Sequence, residues 1–181
     1  TTVVLTASYS AYFVSVVAGS GADRDGAATL WWTLAVGISN LLVLVSAPVV
    51  GAVADYRACK KRFLAVTTAG CVLFTALLGL AGRGEVALAM VFVVLSSFMF
   101  ASGENLIAAF LPEIARRQDM GRISGYGWAL GYLGGLLVLG LCLVYIGWAE
   151  RHGQDATQFV PVTLAITAAA FALASLPPFL W

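Results

Sequence analysis

The chain has 181 residues, of which 61% are hydrophobic and only 10% charged, with a formal net charge of +1 and a mean hydropathy of +0.93. Soluble domains are about 45–50% apolar and about 25% charged, so a water-soluble globule is excluded: there is too little polar surface to cover one. A near-neutral balance gives no electrostatic grip on nucleic acid, and no such partner is expected.

Every charge but one falls into five short clusters: Asp23 to Asp25, Asp55 to Arg62, Arg83 with Glu85, Glu113 to Arg122, and Glu150 to Asp155. They divide the chain into six apolar runs: Thr1–Ala18, Leu30–Ala54, Phe63–Gly82, Val86–Leu111, Ile123–Trp148 and Phe159–Leu180. Roughly 20 apolar residues at about 1.5 Å each cross a hydrocarbon core of about 30 Å. None of the runs alternates as a barrel strand does, and an open backbone is costly in lipid. The predicted fold is therefore all-α, an integral membrane bundle of six transmembrane helices.

The first run has no basic leader and is not a signal peptide. Its Tyr9, Ser10 and Tyr12 can contact a solute or serve as ordinary interior polar residues. It starts at Thr1 with no flanking loop, and the sixth run stops equally abruptly, so the chain is expected to be a fragment. The second run carries Asn40 midway, beside Ser39; an asparagine there either lines a path or bonds a neighbouring helix for about 0.6 kcal/mol. It ends in Gly51, Asp55, Tyr56, Arg57, Lys60 and Lys61. Gly51 and Asp55 are four apart and share a helical face, where glycine admits a neighbouring helix and the carboxylate can accept its hydrogen bonds.

The third run has no charged residue. In the fourth, Glu104 stands alone, about eight residues before Pro112 and hence ~12 Å inside the helix end. A charge at a span's centre costs roughly 2.5–3.5 kcal/mol unless it is paired, protonated or wet. Ser97, Ala101, Glu104 and Ala108 share one face with Asn105 beside it. Turned to the bundle interior, this stripe would line a solute path or carry protons; otherwise Glu104 is a structural ion pair or hydrogen bond. In the fifth run Gly127, Gly131 and Gly135 recur every four residues, leaving a groove that another helix can enter. Cys59, Cys71 and Cys142 fit no disulfide or zinc spacing, and His152 is alone. No metal and no cofactor are expected.

Seven of the ten Lys and Arg residues lie in the second-to-third and fourth-to-fifth connections. Short basic loops stay in the cytoplasm, so both ends of the segment are expected there. Trp31, Trp32, Tyr126, Trp128 and Trp148 sit near run ends, as interfacial aromatics do.

The segment from Gly51 through Asp55 to Lys60 and Lys61 resembles the loop between helices two and three of the major facilitator superfamily. Phe110-Leu-Pro-Glu-Ile-Ala115, followed by Gly121-Arg-Ile-Ser-Gly-Tyr-Gly-Trp-Ala-Leu-Gly-Tyr-Leu-Gly-Gly135, is similar to that superfamily's vacuolar amino-acid effluxer-like, autophagy-related branch. The resemblance implies the amino-terminal half of a twelve-helix secondary transporter built from two three-helix inverted repeats. It also implies alternating access, a small solute such as an amino acid, and a conformational-switch role for Gly51, Asp55, Arg57, Lys60 and Lys61. The expected partners are the lipid bilayer, the solute and the missing carboxy-terminal half. Two other possibilities come from the residues themselves. One is a self-sufficient six-helix protein that dimerises through the glycine face. The other is a membrane-embedded enzyme, disfavoured because Asp23 and Asp25 lie a whole span from Asp55 and cannot share metal ions with it.

Overall fold

A computed structural model describes residues 9–17, 22–56, 59–82 and 84–180, without the side chains of residues 22–25, 54, 55 and 180. A short helix α1 (Ser10–Tyr12) runs on as a π-helix over Phe13–Val17. The long helices α2 (Ala22–Tyr56), α3 (Lys60–Leu77), α4 (Val86–Ile114), α5 (Met120–Arg151) and α6 (Ala156–Ala174) follow, and α7 (Pro177–Leu180) closes the series. No strand occurs among the described residues.

Five helices are long and apolar enough to cross a membrane. They correspond to the second to sixth runs, so the count of six rests on Thr1–Ala18, half of which lies outside the described residues. Several helices overrun the predicted edges, with α2 starting at Ala22 rather than Leu30 and α5 spanning Met120–Arg151 rather than Ile123–Trp148, whereas α3 and α6 stop at Leu77 and Ala174, short of Gly82 and Leu180. Charges end an apolar run, but they do not end the hydrogen-bond ladder of a helix, which continues into the interface.

The interior is built around α3, α4 and α6. The seam between α3 and α4 is the most extensive described contact, and small residues make it. Thr75 and Ser96 share a buried hydrogen bond of 2.9 Å, and Gly103 lies against Thr67. Phe74 stacks on Phe92 with ring centroids 6.5 Å apart. Close backbone approach of this kind is how helices associate in lipid, where apolar burial gives little drive. A second cluster joins Tyr9, Tyr12 and Phe13 of the first run to Ala35 of α2, Leu78, Val93 of α4 and Leu164 of α6. The Gly84 N–H donates to the Val17 carbonyl at 2.9 Å, tying the first run to the α3–α4 connection.

Two glycines set this packing. At Gly79 an added Cβ would lie 3.3 Å from the Cα of Pro161, a backbone atom that cannot step aside. Gly79→Leu is expected to destabilise the bundle by about 1–3 kcal/mol through overpacking; an unchanged thermal midpoint of the detergent-purified protein would contradict this. Gly70 differs, because a Cβ there meets only the flexible side chain of Met99. Gly153 ends α5 with φ +72°. Its N–H donates to Glu150 and that of Gln154 to Ala149, each at 3.0 Å, the paired bonds of a Schellman stop. A branched side chain in the left-handed region costs about 1–2 kcal/mol, so Gly153→Val should lower the unfolding midpoint measurably.

The flanks are different. Almost no residue of α2 or α5 is covered, whereas α3, α4 and α6 are each partly enclosed. Leu34, Leu41, Leu44 and Val45 of α2 and Leu130, Leu136, Leu137 and Val144 of α5 stand exposed. Apolar surface on this scale is lipid-facing or awaits a partner in the membrane.

Candidate functional site

The fourth helix separates two clefts. On one side a cleft of about 170 Å³ lies between α3, α4 and the α6–α7 end, lined by Thr67, Thr68, Phe100, Glu104, Phe171 and Ser175 among others. On the other a smaller cleft of about 80 Å³ separates α2 from α4 and is lined by Ser46, Val50, Gly51, Ser102, Asn105 and Ala109. Glu104 and Asn105 are adjacent in sequence and about 100° apart around the helix, so each borders a different cleft.

The stripe lies outside the enclosed face of α4. Glu104, Asn105 and Ala108 are exposed and Ser97 is half-buried. The enclosed face of α4 is Ala89, Val93, Ser96, Ser102, Gly103 and Leu106. No described residue offers Glu104 a hydrogen bond or an ion pair. The interior selected small hydroxyls rather than the carboxylate, since a serine or threonine can satisfy itself on its own helix. Thr67 donates to the Leu64 carbonyl at 3.0 Å, Thr163 to Val160 at 2.8 Å and Thr167 to Thr163 at 2.7 Å.

In α2, Asn40 is exposed while its neighbour Ser39 is buried. The hydroxyls of Ser39 and Tyr9 are buried without a hydrogen-bond partner among the described residues. Tyr9 packs its ring against Tyr12 and Trp32, with centroids 5.7 and 6.1 Å away. Among the described residues these two buried hydroxyls are left unsatisfied, a costly arrangement. Sequence inspection singled out Asn40 rather than Ser39, because serine carries no signal of its own in an apolar run.

The segment from Gly51 to Lys61 is described in part. Gly51 has nothing within 4 Å of where a Cβ would stand, so it borders the α2–α4 cleft rather than a close helix contact. The Asp55 side chain and Arg57 lie outside the described residues, and Lys61 is exposed. Lys60 is the residue that makes a structural bond. Its Nζ donates to Glu113 Oε1 at 2.6 Å and to the Ala109 carbonyl at 3.4 Å, and it lies 5.9 Å from the Phe110 ring centre. A cation beside the C-terminal turns of α4 also complements that helix's negative end. Glu113 was missed as a partner because 53 residues separate it from Lys60.

In the glycine string, Gly127 and Gly131 are exposed with no atom of a neighbouring segment within 4 Å, and Gly135 is half-buried. The groove is present and open. Beside it Trp128 and Tyr132 pair at 5.8 Å, and Arg122 Nε donates to the Tyr126 hydroxyl at 3.2 Å.

A set of helices of membrane-spanning length, apolar outside and joined through small residues, defines a multi-pass integral membrane protein. Over residues 16–181 the chain matches the family described as "Vacuole effluxer Atg22 like", and it belongs to that family. It is also 28% identical over 178 residues to a protein of Bacillus subtilis (strain 168), "Uncharacterized MFS-type transporter YxiO". That alignment covers 97% of this chain and 41% of the relative, so the chain spans well under half of the relative's length. No solved structure matches the chain. The family is the one the glycine string and the Asp55 segment resemble.

Proposed function

We propose that this chain is the amino-terminal half of a secondary transporter of the major facilitator type, moving a small solute by alternating access. Family membership over residues 16–181 carries this reading, and the uncovered faces of α2 and α5 agree with it. In this scheme a second bundle covers those faces and the solute crosses between the halves. Glu104, Asn105, Ser97, Asn40 and Tyr9 then belong to the pathway or to proton coupling. Gly51, Asp55, Arg57, Lys60 and Lys61 form the switch loop, and Gly127, Gly131 and Gly135 form the sliding contact. Both ends face the cytoplasm, by the excess of Lys and Arg in two connections. The family's effluxer description, together with the vacuolar amino-acid resemblance, makes an amino acid the first solute class to try. No catalytic step enters this scheme.

The test is uptake by the full-length protein in proteoliposomes, screened across amino acids and other small metabolites. Saturable, gradient-dependent uptake of an amino acid is expected. Uptake indistinguishable from protein-free vesicles for every amino acid would overturn the solute class. The open Gly127–Gly131 face favours one second reading, in which two copies of a six-helix protein meet there. The mass of the purified full-length protein separates the two, since twelve spans in one polypeptide exclude this dimer.

A further inference from the structure

We propose that the first turn of α3 and the α4–α5 connection together hold the headgroup of an anionic phospholipid. The Lys60–Glu113 bond at 2.6 Å brings the start of α3 and the end of α4 to one place. Lys61 and Arg62 follow directly on one side, and Arg116 and Arg117 lie three and four residues on from Glu113 on the other. All four are exposed, and none has an ion pair with a described carboxylate. Glu113 is already taken by Lys60, which leaves Asp119 as the other described acid of this end. Glu113 thus neutralises Lys60, while Lys61, Arg62, Arg116 and Arg117 are left exposed with no described carboxylate against them.

The location selects the occupant. These residues flank the ends of two helices long and apolar enough to cross a membrane, at Lys60 for α3 and Ile114 for α4, and cations just beyond a span's end meet lipid phosphates. Clusters of Lys and Arg at a span's end attract anionic headgroups, with each cation contributing about fivefold in affinity. Arginine also offers a paired fork to a phosphate. The same cations are exposed to a soluble phosphate, but a soluble ion gains nothing from the acyl chains that anchor a lipid at this depth.

Native mass spectrometry of the full-length protein, released from micelles holding equal phosphatidylglycerol and phosphatidylcholine, reads the preference directly. Wild type is expected to retain phosphatidylglycerol at least tenfold over phosphatidylcholine. R116Q/R117Q should lower that ratio by about 25-fold, and K61Q/R62Q, in the first turn of α3, should do the same if the first variant does not fold. R116K/R117K should keep most of the preference. A wild-type ratio near one, or a glutamine variant that matches wild type, overturns the proposal. So does a lysine variant that loses the preference. Retention of inorganic phosphate in place of lipid overturns it as well, by assigning the patch to a free anion.

Discussion

Glu104→Gln in the full-length protein is expected to flatten the pH dependence of solute uptake and to lower the rate at least tenfold, with protein level unchanged. The variant keeps size and hydrogen-bonding capacity and removes only the titratable proton. Glu104 is the sole charge among the membrane-spanning stretches between the five clusters. It borders a cleft otherwise lined by Phe100, Ile107, Phe171 and threonine or serine hydroxyls. An ionisable group at that depth costs about 2.5–3.5 kcal/mol by insertion scales, and no described ion pair repays it. A carboxyl that served only the fold would be expected to hold a neighbouring helix, as Glu113 does through Lys60. If Glu104 is merely structural, the glutamine protein accumulates less but transports at the wild-type rate per molecule, with the same pH profile. That result would remove Glu104 from the pathway.

Gly131→Leu is expected to abolish transport while leaving insertion and thermal stability intact. Within this chain the side chain has room, since nothing lies within 4 Å of the position a Cβ would take. The contrast with Gly79, where backbone stands 3.3 Å away, makes the pair informative. Leucine at 79 should damage the fold, and leucine at 131 should damage only what docks on α5. Small residues four apart allow backbones to meet, and a leucine in such a groove holds them apart by its own width. Unchanged uptake in Gly131→Leu would mean that the glycine face stays open to lipid throughout the cycle.

The spans were legible because charge spacing is a local property: each cluster marks where a helix leaves the hydrocarbon, and α2 to α6 fall on the second to sixth runs. The edges were not, because helical hydrogen bonding persists beyond the last apolar residue. Orientation about the α4 axis was left open by the sequence, because a lone carboxylate can face a solute path or hold a neighbouring helix. Ser96 and Gly103 take the face toward α3, against Thr75 and Thr67, and their small volume lets that helix approach. The Lys60–Glu113 contact was beyond reach because it joins residues far apart in sequence. Tyr9 and Asn40 were both named as polar residues of the first two runs, yet only Tyr9 is enclosed, and the side chain that accompanies it is Ser39.

The α3–α4 seam crosses the boundary between the two three-helix units that an inverted-repeat scheme would assign. Threonine–serine bonding, a glycine contact and a charged clip at one end hold it along its length. In such a scheme the two units would move as a single lever arm rather than as scissor blades. Bending is then cheapest outside the weld, along the lightly covered helices on either flank.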